Sequence, residues 1–324
     1  MRRLYGYDNI RQELRDPVAA IGMFDGIHLG HRRVINKVLR AAGKDRDAAV
    51  ITFDPHPQSV IDPRKAPPRI MSLEHRLHIF EKMKLDAAVV IKFTGGVSSM
   101  GPEDFVDKVI SGMGARTVFV GSNFRFGSGK SGDVKLLKDI GGSRGIDVFE
   151  VKPVKMGGRV ISSTWLRKLI SSGDIAKAEK LLRRPPSVLG TVVEGDRRGR
   201  SLGLPTANID PHQEVIPPPG VYAVKVELGG KLFNGALNIG FKPTFYGSKL
   251  KKRKEPSAEV HVIDYDGSLY GKTLEIFFIK ALRKEKHFRT EKELVFQVRK
   301  DMERARQLLS SKRTSEKIRK YKDI

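Results

Sequence analysis

The sequence predicts two folds in series: an N-terminal α/β domain built on a parallel sheet, and a C-terminal small antiparallel β-barrel with a closing α-helix. Short apolar runs alternate with helical patterns in the first half, whereas strands follow one another without intervening helices in the second half. Pro185 and Pro186 end the helical periodicity between the two patterns. We therefore expect one domain at residues 1–185 and another at residues 186–324.

In the first half, short apolar runs predict buried strands of a parallel sheet with crossover helices. In such sheets, ligands bind at the carboxyl ends of the strands. The runs are VAAIGMF (18–24), AAVITF (48–53), AAVVIKF (87–93), RTVFVG (116–121) and DVFEV (147–151), and helical segments include HRRVINKVLRAAG (31–43) and GPEDFVDKVISGMG (101–114).

The second half shows the two-residue periodicity of antiparallel strands. Residues 221–237 predict a hairpin, in which Val224, Val226 and Leu228 alternate with Lys225 and Glu227 and Gly229-Gly230 supplies the tight turn. AEVHVIDY (258–265) and TLEIFFIKAL (273–282) predict further strands. The closing helix has one apolar face, formed by Val295, Val298, Met302, Ala305 and Leu309.

Composition limits the class of protein. The 324 residues carry a net charge of +24, contain no cysteine and are 39% hydrophobic. Disulfides and thiolate metal sites are therefore excluded, and the apolar runs are too short to span a membrane. We expect a cytoplasmic protein with no membrane partner and with anionic ligands. No nucleic-acid-reading motif accompanies the basic KLKKRK segment (249–254), so we expect no specific nucleic-acid partner, and homo-oligomer formation stays open.

Two histidines lie in GMFDGIHLGH (22–31), where the first helix is predicted to begin near Gly30 or His31. A helix N-terminus offers free N–H groups and a positive dipole end to an anion. His28 and His31 are therefore compatible with phosphate binding. Metal ligation, which would need a third ligand, and packing are the alternatives.

GMFDGIHLGH resembles the H-x-G-H signature of adenylyl- and cytidylyltransferases, and its fuller form resembles the bacterial bifunctional riboflavin kinase/FAD synthetase family. Three further stretches match that family in the expected order: TFDPHP (52–57), GSNFRFGSGKSGD (121–133) and RVISSTWLRKLISSGDIAKAEKLL (159–182). The resemblance implies a Rossmann-like nucleotidyltransferase domain. That domain joins FMN to the AMP part of ATP and releases pyrophosphate.

The resemblance also assigns roles in this domain. His28 and His31 would be catalytic, binding ATP phosphates and stabilising the transition state. Each of the other candidates has a structural alternative. Ser162–Thr164 could form an N-cap, Asn123 could occupy an ordinary turn, Phe124 could pack in the core and Asp25 could cap the turn. The ATP-binding candidates are Gly22, Phe24, Asp25, His28, His31, Ser162, Ser163, Thr164 and Arg167, and the FMN-binding candidates are Asn123 and Phe124.

GDRRGRSLGLPTANI (195–209) is rich in glycine and basic residues but lacks the P-loop pattern. Its GLPTAN string resembles the riboflavin kinase signature, and LNIGFKPTF (237–245), AEVHVIDYDGSLYG (258–271) and LRKEKHF (282–288) follow in family order. The resemblance implies transfer of the ATP γ-phosphoryl group to the 5′-hydroxyl of riboflavin. A surface β-turn loop is the alternative for residues 195–209.

By the same resemblance, Thr206 and Asn208 would bind Mg²⁺ and ATP, and Glu259 would be the catalytic base. Alternation places Glu259 and His261 on one strand face, so His261 is the rival base. Further ATP-binding candidates are Gly195, Gly203 and Pro205, and flavin-binding candidates are Arg283, Glu285 and Phe288, for which a surface segment before the closing helix is the alternative.

Two other function classes are alternatives to this one. An adenylyl- or cytidylyltransferase for another phosphorylated substrate would use the barrel only as a binding module. The other alternative is a basic RNA-binding protein, a hypothesis that only the net charge supports. The chain also departs from the family pattern LLGRPY, because Arg183 and Pro186 replace the usual glycine and tyrosine.

Overall fold

The computed structural model describes residues 1–194, 206–212, 215–241, 256–286, 288–310 and 316. Two compact units divide between Ser163 and Thr164, and the short segment Arg69–Ser72 packs with the second unit. The boundary predicted at residue 185 for the two activities stays a prediction, because these units are defined by packing.

The first unit is an α/β layer structure whose six sheet strands all pair in parallel. The strands are β1 (Arg2–Tyr5), β2 (Val18–Ile21), β3 (Ala48–Asp54), β4 (Ala87–Lys92), β5 (Thr117–Gly121) and β6 (Asp147–Val151). The helices are α1 (Leu29–Ala42), α2 (Pro57–Ile61), α3 (Leu73–Lys82), α4 (Gly95–Ser98), α5 (Pro102–Phe105, continued by a π-helical turn over Val106–Ser111) and α6 (Val134–Ser143). A two-stranded ribbon, β7 (Lys155–Met156) and β8 (Arg159–Val160), follows.

The strand order is β1-β4-β3-β2-β5-β6. From β2 the chain proceeds outward through β3 and β4, and it then crosses to β5 and β6 on the other side. The order therefore reverses between β2 and β5, and such a switch point opens a ligand crevice at the carboxyl ends of the strands. The loops after β2 and β5 carry two of the motifs singled out in the sequence.

The structure adds to or differs from the sequence expectations at three places in this unit. The edge strand β1 was not predicted, because its sequence RRLY is short and charged. The run at 147–151 forms β6 but is not buried: it is an edge strand, and Phe149 is 48% exposed. Helix α1 begins at Leu29, earlier than expected, because His28 itself serves as the N-cap.

The second unit is a closed antiparallel barrel with the strand order β10-β13-β12-β11-β14-β9. The prediction of a small barrel with a closing helix is confirmed. Its elements are α7 (Ser163–Ser171), α8 (Ile175–Leu182), β9 (Ser187–Val193), β10 (Ala207–Asp210), β11 (Gly220–Leu228), β12 (Lys231–Phe241), β13 (Pro256–Val262), β14 (Thr273–Lys284) and α9 (Glu291–Leu309).

The β11–β12 hairpin turns through Gly229 and Gly230, whose φ values of +54° and +79° suit a glycine pair. Apolar side chains such as Val224, Leu237 and Val260 fill the barrel interior. Helix α9 packs Ala305 and Leu309 in a separate cluster with residues of the strands, including Val221, Ala223 and Leu282. Among the described residues, no helix is long and apolar enough to cross a bilayer.

Candidate active sites

The turn between β2 and α1 has an unusual backbone. Phe24, Gly26 and Ile27 have φ values of +51°, +90° and +40°. The positive φ is ordinary for Gly26 but strained for Phe24 and for the β-branched Ile27. A Cβ at Gly22 would lie 3.3 Å from the ring of Phe24, so Gly22 leaves room for this ring. The turn delivers His28 to the start of α1.

His28 caps α1, because its Nδ1 accepts the backbone N–H of His31 at 3.4 Å. An accepting Nδ1 places the proton of the neutral ring on Nε2. A Cβ at Gly30 would lie 3.0 Å from Cε1 of His28, so the glycine of the H-x-G-H pattern makes space for the first imidazole.

The two imidazoles are neutral and stacked. Their ring centroids lie 3.8 Å apart with planes 16° apart, and Phe24 meets His31 edge-on at 5.5 Å. Burial lowers the pKa of His28 from 6.5 to about 4. Burial and then the neighbouring His28 hold the pKa of His31 well below 6.5. Near neutral pH the pair therefore offers N–H donors rather than cations.

A hydrogen bond links the start of α7 to the turn between β2 and α1 (residues 22–28), which we call the histidine turn. Ser163 Oγ donates to the backbone carbonyl of Asp25 at 2.7 Å, and Asp25 is only 5% exposed. In this arrangement the Ser163 hydroxyl group donates its proton to the backbone of the turn. Ser162 directly precedes α7, and Thr164 and Arg167 lie on α7 and pack with the second unit.

The second motif loop of the first unit follows β5, the direct neighbour of β2 in the sheet. Asn123 is exposed, and Phe124 is half-buried. Phe124 stacks on Phe126 with ring centroids 5.7 Å apart, and Phe126 belongs to the core. Of the two phenylalanines, Phe124 therefore has the more accessible ring for a ligand.

Sequence reasoning missed Arg76 of α3, which is 2% exposed. Its guanidinium donates to Met23 O at 2.9 Å and to Thr52 Oγ1 at 2.6 Å. It also donates to Phe53 O and to Asp54 Oδ1, both at 3.2 Å. An arginine within a helical pattern normally predicts a solvated side chain. The available signal was its position four residues before Phe80, on a face that α3 buries.

In the barrel, three polar residues form a row across neighbouring strands. Glu259 on β13 lies directly opposite Asn208 on β10 and Asn238 on β12. Opposite residues of antiparallel strands share a face. The residues that alternate with Glu259, Ala258 and Val260, fill the barrel interior. The polar row therefore lies on the outer face of the barrel wall.

Asn208 has a side-chain oxygen suited to a ligand. Its Oδ1 is buried and has no hydrogen-bond partner among the described residues. A buried carbonyl oxygen without a partner is costly unless a ligand completes it. Thr206 is exposed just before β10, whereas Gly195, Gly203, Pro205 and the KLKKRK segment lie outside the described residues.

Glu259 and His261 share a strand face, as the alternation predicts, but their surroundings differ. Glu259 has polar residues opposite it on both sides, whereas His261 lies opposite Ala236 on β12. Glu259 therefore lies directly opposite Asn208, and its role as the base stays a prediction.

The flavin-binding candidates lie at and after the end of β14. Arg283 Nε donates to Asp301 Oδ2 of α9 at 2.8 Å, and its guanidinium lies 5.6 Å from the Phe288 ring centroid. Glu285 lies beside Gly240 of β12, where a Cβ would come within 2.7 Å of Glu285 Oε1. Arg283 is thus part of a strand, not of a surface segment leading into the helix.

Two family models match the chain in order. The FAD synthetase model matches residues 10–165, and the riboflavin kinase model matches residues 182–309. A bifunctional riboflavin kinase/FMN adenylyltransferase from Bacillus subtilis (strain 168) is 36% identical over 308 residues, which cover 94% of this chain and 96% of that protein. The chain belongs to this bifunctional family.

A second relative and a solved structure are also similar to almost the whole chain. The family member from Escherichia coli (strain K12) is 34% identical over 312 residues, which cover 95% of this chain and 97% of that protein. A crystal structure titled as a macrolide-efflux protein from Streptococcus pneumoniae superimposes with a TM-score of 0.78 at 28% identity, covering 94% of this chain and 99% of that chain. The family expected from the ordered motifs is confirmed.

Proposed function

We propose that the barrel unit phosphorylates riboflavin to FMN and that the first unit adenylylates FMN to FAD. Both reactions use ATP; the first releases ADP and the second releases pyrophosphate. The observation that carries the proposal is the neutral, stacked pair His28 and His31 at the start of α1, in a chain that both family models match.

In adenylyl transfer, an FMN phosphate oxygen attacks the α-phosphorus of ATP, and the bond to the pyrophosphate oxygen breaks. The nucleophile is already an anion, so the protein's task is positioning and charge stabilisation. His28 Nε2–H and the N–H groups at the start of α1 supply donors for the phosphate oxygens. We place FMN by the loop after β5, which carries Asn123 and Phe124, because β5 pairs directly with β2 in the sheet.

In phosphoryl transfer, the 5′-hydroxyl oxygen of riboflavin attacks the γ-phosphorus, and the bond to the β-phosphate oxygen breaks. Glu259 accepts the hydroxyl proton, since a neutral alcohol needs a general base. Arg283, Glu285 and Phe288 are proposed to bind the flavin at the end of β14.

The unpartnered Oδ1 of Asn208 fits a Mg²⁺ ligand, because this cation prefers oxygen donors. Thr206, two residues earlier, would supply a second oxygen. When bound with ATP, Mg²⁺ neutralises the charge that develops on the phosphate oxygens. The protein's own contribution is to hold Asn208 directly opposite Glu259 in the barrel wall.

The direct test incubates the purified chain with riboflavin, ATP and Mg²⁺ and separates the flavins by chromatography. FMN should appear first and FAD afterwards, and FMN supplied directly should yield FAD. If neither product formed with oxidised or reduced flavin, the proposed function would be wrong. FAD formation from FMN without FMN formation from riboflavin would remove the kinase alone.

A further inference from the structure

Arg76 is a buried cation outside the recognised motifs. Its guanidinium joins the carboxyl ends of two adjacent parallel strands, β2 and β3. On the β2 side it donates to Met23 O, within the histidine turn. On the β3 side it donates to Thr52 Oγ1, Phe53 O and Asp54 Oδ1. Thr52 Oγ1 also donates to Met23 O at 3.3 Å, so Arg76, Thr52 and Met23 form one hydrogen-bonded network.

The histidine turn needs such a support. Non-glycine residues in the left-handed region cost about 1–3 kcal/mol each and persist only where the surroundings fix them. Phe24 and Ile27, which both lie within the turn, are two such residues. Arg76 holds the turn at Met23, and Ser163 holds it at Asp25 O. The position of His28 therefore depends on contacts from outside the turn.

The arrangement also suits arginine rather than lysine. A guanidinium presents N–H groups in a planar fork, and here Nη1 and Nη2 each serve two acceptors. A lysine ammonium is a point donor that cannot reach this set with the same geometry. Among the described residues of the second unit, the kinase candidates Glu259 and Asn208 lie on the barrel, which does not include Arg76.

We propose that Arg76 is a positioning residue for adenylyl transfer: it fixes the turn that carries His28 and His31 against the end of β3 without touching the reacting atoms. This inference rests on the proposed function of the first unit. Its consequence is a selective loss of turnover, because a displacement of about 1 Å in a catalytic group can cost about 100-fold in rate.

The test uses the full-length Arg76→Lys variant, with Arg76→Gln as a second variant. The kcat of FAD formation from FMN should fall about 10- to 100-fold. The KM for ATP should change less, by under about threefold, and the kcat of riboflavin phosphorylation should stay as in the wild type. Histidine NMR supplies a structural readout, since release of the turn should raise the pKa of His28 from about 4 towards 6.5.

Arg144 offers a matched control for Arg76. It forms a bidentate ion pair with Asp107 in the same unit, but at the surface. Arg144→Lys should leave both activities unchanged. The inference is overturned if Arg76→Lys keeps wild-type FAD formation. It is also overturned if the loss in both Arg76 variants merely follows the fraction of folded first unit with an unchanged His28 signal. A wild-type protein that makes no FAD would instead overturn the proposed function.

Discussion

The imidazoles of His28 and His31 lie face to face at a centroid distance of 3.8 Å. Because each ring covers a face of the other, and because His28 Nδ1 accepts the His31 N–H, the two residues act as one unit. Removal of either should displace the other. The two histidines should therefore behave as a coupled pair and not as two independent phosphate-binding residues.

Substitution of either histidine by alanine should lower kcat for FAD formation by about 100- to 1000-fold, the usual effect of losing one preorganised donor. The double variant should be little worse than the single variants, because residues that act together are non-additive. Chromatography of FMN and FAD checks both effects, and FMN formation should be unchanged. Fully multiplicative single effects would contradict the coupling.

Glu259→Gln should reduce riboflavin phosphorylation by about 100- to 10,000-fold, since general-base catalysis contributes factors of this size. His261→Gln is the matched control on the same strand face and should change the rate only slightly. Adenylylation of supplied FMN should persist in both variants. The opposite ranking in an FMN-formation assay would make His261 the base.

Asn208→Ala should raise the Mg²⁺ concentration that half-saturates riboflavin phosphorylation by at least about tenfold. The cause is the loss of the Oδ1 that lacks a partner among the described residues. Asn234→Ala is the control, because Asn234 has a similar buried oxygen but lies opposite Lys225, away from Glu259. An equal Mg²⁺ response of the two variants would argue against Asn208 as a ligand.

Stability of the first unit should depend on His28. Its pKa is about 4 when folded and 6.5 when unfolded, so the unfolded chain binds more protons between these values. The free energy of unfolding should therefore fall as the pH falls from 6.5 to 4, by about 3 kcal/mol. Denaturant titrations at pH 7, 5 and 4 measure this slope, which His28→Gln should reduce to the part contributed by His31, whose pKa is lowered in the same direction. An unchanged slope in that variant would assign the effect to other groups.

Arg183→Gly should stabilise the second unit by about 1 kcal/mol. Arg183 ends α8 in the left-handed conformation with φ +57° and ψ 21°, which favours glycine at helix C-termini. Arg183→Ala removes the same exposed side chain without relieving the backbone and should give no gain. Thermal unfolding followed at the barrel transition distinguishes the two. Equal shifts would place the effect in the side chain.

The sequence pattern predicted the sheet, the barrel and the histidine site because each leaves a local signal. Apolar runs marked β2 to β5, the glycine pair marked the β11–β12 turn, and the H-x-G-H spacing marked the start of α1. Contacts between distant segments leave no such signal. Arg76 reaches Met23 across 53 positions, and Ser163 reaches Asp25 across 138.

The proline-rich junction shows the same limit. The composition shift at RRPPS predicted a boundary, yet Arg184 is 2% exposed and donates to Ser187 Oγ at 2.8 Å. Ser187 Oγ in turn donates to Glu275 Oε1 of β14 at 2.9 Å. Helix α8 ends before the prolines and β9 begins after them, but the burial of Arg184 depends on β14, which comes much later in the chain.

Closure of the barrel has a consequence for aggregation. A closed barrel leaves no strand edge on which another chain could add by hydrogen bonding, whereas the open sheet of the first unit leaves two, β1 and β6. Both edges are short and charged, with Arg2 and Arg3 on β1 and Asp147 and Glu150 on β6. Such residues oppose strand addition. The charged residues of β1 and β6 therefore protect the two open edges of the sheet against intermolecular β-pairing, whereas the barrel is protected by its closure.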